Sequence, residues 1–105
     1  GNDSTSVIRP IGSSVGTNTA AGLLAPNPYH PLTYGITEGE VPGSGGDWRQ
    51  GVTAVNGEVI LRDKTLGYVE GVYLEETGKG RWYHHQPFAT PPDKFIGNVV
   101  GFLAR

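Results

Sequence analysis

The chain has 105 residues and a formal net charge of -2, which leaves room for one domain and no basic excess with which to neutralise phosphates, so no nucleic acid partner is expected. It contains no cysteine, which removes disulfides and thiolate metal sites as sources of stability. No run approaches the roughly 18 apolar residues of a membrane span, so no membrane partner is expected either.

Residues 1–46 hold four charged side chains, Asp3, Arg9, Glu38 and Glu40, among Ser, Thr, Asn, Gly, Ala and Pro. Pro26, Pro28 and Pro31 fix φ and remove amide donors, so no helix can run through this stretch. Short apolar pieces recur without helical spacing. The segment reads as an extended Gly/Ser/Pro-rich arm with short strands near 6–11 and 32–37. An extended segment this poor in charge gains most by lying on another surface, adding strand hydrogen bonds and small apolar plugs. Its expected partner-binding residues are Val7, Ile8, Ile11, Val15, Leu23, Leu24, Tyr29, Leu32 and Ile36.

Residues 47–105 read as a compact antiparallel β module. Two apolar strands, 52–55 and 58–62, flank Asn56-Gly57, the strongest short hairpin signal. A two-residue loop there would pair Ala54 with Val59 and Val52 with Leu61. A second hairpin is expected from 66–76 and 81–89 around Thr77-Gly78-Lys79-Gly80. Val72 and Leu74 share one face of its first strand and Val69 and Tyr73 the other; Trp82 and His84 oppose Tyr83 and His85 in the second. Pro91-Pro92 breaks the chain. The last segment, 94–105, carries Phe95, Val99 and Leu103 against Ile96, Val100 and Phe102 and reads as a strand apolar on both faces. The fold class is therefore all-β, a small antiparallel barrel or sandwich with a long N-terminal arm.

Chemistry has little to stand on. Gly43-Ser44-Gly45-Gly46 is not a nucleophile elbow, and a Ser44 with Lys64 dyad rests on residue type alone. His84 and His85 are neighbours and point to opposite faces of a strand, so they cannot share an ion. Thr77-Gly78-Lys79-Gly80 lacks the Ser or Thr of a phosphate loop. No catalytic, metal or cofactor site is expected. Trp48, Trp82, Tyr83 and Phe102 are the expected interface anchors, since large aromatics dominate contact energies.

A module of 59 residues (47–105) without disulfide or metal is marginal alone and gains by oligomerising or docking. The first expectation is a structural assembly protein that binds shell subunits or copies of itself as a homo-oligomer. Its architecture, and that alone, is similar in style to small decoration or cement proteins of viral particles, which would place it in the virion. The alternatives are a free-standing domain recognising glycan or peptide, and a small hydrolase.

Overall fold

The computed structural model describes residues 12–15, 23–43, 51–65, 67–87 and 89–105, and its fold is organised around one antiparallel hairpin. Strands β5 (Val69–Glu76) and β6 (Gly80–His85) are joined by a tight turn in which the Lys79 amide donates to the Glu76 carbonyl at 3.0 Å. Leu74 pairs with Trp82 and Val72 with His84, while Tyr73 pairs with Tyr83 and Gly71 with His85. From Gly71 to His85 the two faces are those that the alternation in the sequence predicts, whereas Val69, expected on the face of Tyr73, clusters with Val72.

Strand β4 (Glu58–Asp63) pairs with β5, and β2 (Leu24–Pro26) pairs with β4, giving the order β2-β4-β5-β6. The sheet stays open at both edges, so the expected barrel does not close. A separate two-stranded sheet joins β1 (Gly12–Val15) to β3 (Gly51–Val55), and β3 packs near β5.

The expected hairpin at Asn56-Gly57 is not a ladder between its own flanks. Ala54 pairs with Ser13 and Val52 with Ser14, whereas Val59 and Leu61 pair with Val72 and Gly71. The cause lies at Gly57, where a Cβ would run into the backbone carbonyl of Tyr73. The chain therefore meets β5 directly after the turn, with Glu58 opposite Tyr73, and the longer β4–β5 ladder overrides the local turn preference.

Two compensating irregularities shape the sheet. Between the pairs Val59–Val72 and Leu61–Gly71, β4 carries one extra residue, Ile60; between Leu61–Gly71 and Arg62–Val69, β5 carries one, Glu70. Bulges of this kind re-aim side chains. As a result the neighbours Ile60 and Leu61 both enter the main core, and Val69 joins Val72 in a smaller cluster with Val55 and Val59.

The last segment is a helix, α1 (Asp93–Leu103), not a strand. Residues four apart lie on one face under a period of 2 and nearly so under 3.6, so Phe95, Val99 and Leu103 satisfy both patterns. Local chemistry decides. Pro92 caps the helix with extended backbone and Asp93 sits in the first turn, where a carboxylate complements the helix dipole. Arg81 of β6 donates to the carbonyl of Phe102 at 3.4 Å and to that of Arg105, which places a cation at the negative end. The structure is thus mostly β with one short helix.

Residues 23–43 lie on the chain's own sheet. Leu24, Leu32, Ile36 and Val41 share one core with Ile60, Leu61, Tyr73 and Phe95. A 3-10 turn at Pro31–Thr33 replaces the strand expected at 32–37. His30 caps it, its Nδ1 accepting from the Leu32 amide at 3.1 Å, and its ring packs on Tyr73 and Phe102 at 5.3 and 5.1 Å. Asn98 of α1 donates to the carbonyls of Leu32 and Tyr34 at 3.1 and 2.9 Å. The backbone bonds of this irregular segment are met by its neighbours: Asn27 N–H to the Ile60 carbonyl, Gly39 N–H to that of Leu24, Lys64 N–H to that of Leu23.

Candidate contact surface

The face of the sheet carrying Tyr73, Tyr83 and His85 is covered by α1 only in part. Phe95 is buried against it, and Val99, Phe102 and Leu103 are half-buried. Between β6 and α1 an apolar groove of about 240 Å³ remains, lined by Tyr83, His85, Pro91, Phe95 and Val99 and reaching Ile96 and Val100 on the helix. The rim is what solvent meets. Ile96 is 38% and Val100 60% exposed, and Gly97, Gly101 and Ala104 complete an exposed helix side that is flanked by Lys94, itself paired with Glu40 at 3.0 Å.

Beneath the groove lies a small polar group. The Tyr83 hydroxyl and His85 Nδ1 are 2.7 Å apart, and the ring of Tyr83 lies over Gly71, where a Cβ would collide with that hydroxyl. Burial, and then the negative charge of the fully buried Glu70, push the Tyr83 phenol well above its ordinary value. Burial, and then the neighbouring His84, push the His85 imidazole down to about 4. His85 is therefore neutral near pH 7. The Tyr83 hydroxyl and Nδ1 share one hydrogen bond in either tautomer, and Nε2 is buried without a hydrogen-bond partner among the described residues. The His85 imidazole, held at Nδ1, forms part of the wall of the groove.

His84 occupies the opposite face, its Nε2 3.2 Å from the Gln86 side-chain oxygen; burial lowers its pKa, against the raising effect of that contact. Among the described residues no three His, Asp or Glu side chains gather as a metal-holding group. Lys64 pairs with Glu38 at 2.9 Å, and Ser44 lies outside the described residues.

The residues expected to bind a partner are dispersed. Leu24, Leu32 and Ile36 are in the core, Leu23 is 45% exposed and Tyr29 93% exposed. Val15 is described as a backbone partner of Gly51. Val7, Ile8, Ile11 and Trp48 lie outside the described residues. Of the expected anchors, Tyr83 and Phe102 are half-buried against the core, and Trp82, 40% exposed, stands on the other face of β6. Sequence reasoning missed Ile96 and Val100 as surface groups. Their signal was present in the four-residue spacing of Ile96 and Val100 beside Gly97 and Gly101, which under a helical period forms one side.

Comparison with known protein families, with curated proteins and with solved structures finds no match to this chain.

Proposed function

We propose that this protein works by protein–protein contact, without chemistry of its own, through the exposed side of α1 and the adjoining groove to β6. The observation that carries the reading is the continuity of exposed Ile96 and Val100 with a groove that offers no polar surface. Contiguous apolar surface of this kind marks interaction sites. The engaged, neutral Tyr83–His85 pair supports contact over catalysis.

The contact role first expected of an arm thus moves to the helix. Residues 24, 32, 36 and 41 are committed to the chain's own core, so a shell-binding or virion role would be exercised through α1. A second reading has its own observation: β6 is an edge strand of the sheet and runs beside the groove. An extended peptide could add to that edge and place an apolar side chain in the groove, which is the recognition-domain alternative.

The chain's lack of cysteine makes a clean test. Val100→Cys carrying a photo-crosslinker should give a discrete adduct in extract of the cells that make the protein, competed by unlabelled wild type and not by Val100→Asp. Lys79→Cys, on the distant β5–β6 turn, should give none. Equal labelling from both positions, or no adduct from position 100, defeats the reading.

A further inference from the structure

We infer that the occupant of this face is a second copy of the chain, docked with its α1 antiparallel to the first across a two-fold axis. The inference rests on the contact reading above and gives it a partner.

The argument begins with the order of residues along the exposed side of α1: Asp93, Ile96, Gly97, Val100, Gly101 and Ala104, all exposed. Asp93, Gly97, Val100 and Ala104 follow the four-three-four spacing of a helix seam that faces another helix. Gly97 in the seam and Gly101 beside it are the worst helix formers short of proline, each costing about 1 kcal/mol relative to alanine. Among the described residues nothing asks for them. A Cβ at Gly97 or at Gly101 would meet no atom within 4 Å. Glycine on an exposed, otherwise apolar helix side makes hollows, and Ile96 and Val100 make knobs beside them.

Knobs and hollows on one helix can be self-complementary in only one of the two pairings. In a parallel pair each residue faces its own copy, so Val100 meets Val100, Gly97 meets Gly97 and Asp93 meets Asp93 with like charges opposed. In an antiparallel pair centred between Asn98 and Val99, Val100 of each copy opposes Gly97 of the other. Ile96 and Gly101 lie on opposite flanks of that seam, each beside the same flank of the second copy. Val100 thus finds a glycine, which permits close backbone approach. Charge agrees with shape. The N-terminal end of the seam carries Asp93, beside Lys94 whose charge is paired with Glu40 at 3.0 Å, and the C-terminal end Arg105, exposed with its guanidinium 4.0 Å over the Phe102 ring. The antiparallel arrangement brings Asp93 of each copy beside Arg105 of the other, twice, and opposes the helix dipoles favourably. Such an interface is isologous, the commonest form of homodimer.

The test is made on purified full chain. Sedimentation equilibrium over a wide concentration range should show a monomer–dimer equilibrium. Val100→Asp should raise the dissociation constant about 30-fold or more, as expected for disrupting an interface centre. Gly97→Glu, at a site with open space around it, should do the same with an unchanged circular-dichroism spectrum. Asp93→Arg and Arg105→Asp should each weaken the dimer about two- to fivefold, and the double exchange should recover it. In an oxidised equimolar mixture of Gly97→Cys and Val100→Cys chains, the mixed disulfide should dominate. A monomer at all concentrations, or a predominance of Val100→Cys homodisulfide, overturns the inference. If the purified chain is monomeric while position 100 still crosslinks a different protein in extract, the contact reading stands and the second copy is excluded.

Discussion

Residues 23–43 and the β5–β6 hairpin contribute to the fold in opposite ways. The first has a three-residue strand, a single 3-10 turn and four prolines, yet it supplies Leu24, Leu32, Ile36 and Val41 to the main core. The second is the most regular pair of strands in the molecule, yet its residues 75–82 are exposed. Regularity of backbone and depth of burial are separate properties. An irregular segment can be anchored as firmly as a strand when its few apolar side chains are deep and its amides find partners on neighbouring elements.

The sharpest way to break that comparison is to truncate one residue in each region. Leu32, fully buried, should cost about 2–5 kcal/mol when changed to alanine, as core leucines do. Glu76→Ala, at the exposed end of β5, should stay within about 0.5 kcal/mol. Urea unfolding of both variants reads the difference. If Leu32→Ala unfolds like wild type, residues 23–43 are peripheral and the comparison is reversed.

Acid should act next most strongly, and on the hairpin side. A histidine depressed in the folded state binds its proton more readily when unfolded, so stability is complete above the ordinary imidazole range and falls as pH drops toward the folded value. For His85, from 6.5 to about 4, the loss is on the order of 3 kcal/mol in total. His84 acts in the same direction. Glu40, held below its ordinary 4.5 by the Thr37 amide and then by Lys94, also loses stability on acidification, but at lower pH. The window that reads the histidines therefore lies between pH 6.5 and about 4.5. His85→Gln should flatten the dependence of the urea midpoint on pH across that window, and an undiminished slope would mean that His85 is not its source.

How much of this was legible beforehand depends on whether the relevant physics was local. The hairpin β5–β6 was legible because alternation, turn glycines and pairing partner all lie within 17 residues, 69–85. The burial of Leu24, Leu32, Ile36 and Val41 was not legible because they show no period; what buries them is the sheet formed 20 to 50 residues later and a helix read as a strand. That error had its own cause, since a spacing of four fits both periods, and only Pro92 and Asp93 at the start break the tie. Asn56-Gly57 gave a correct bend and a wrong ladder, because β3 finds its partner in β1. The groove could not be read until α1 was a helix, since Tyr83, His85 and Val100 converge only then.

Asn98 offers a smaller test of the tie between the two regions. It joins α1 to the 3-10 turn through two hydrogen bonds, and Asn98→Ala should cost about 1 kcal/mol for each carbonyl left to find water. Amide exchange should quicken at Leu32 and Tyr34 while β5 and β6 stay protected. Uniform quickening throughout would show that helix, turn and hairpin open as one unit.

The smallest effect is the most informative, because its sign depends on concentration. Gly97→Ala adds a methyl group to an exposed helix position where no atom lies within 4 Å. In a dilute, monomeric sample this should stabilise α1 by about 0.5–1 kcal/mol and raise the midpoint by about 2–6 °C. At high concentration the same methyl occupies the hollow that receives Val100 of the second copy, so the dimer contributes less to stability than in wild type. The wild-type midpoint should rise with concentration, the variant's should rise less, and the two curves should approach or cross. Parallel curves would leave Gly97 a costly residue with no role in association, whereas convergence would mean that the glycine is kept for the neighbour and not for the fold.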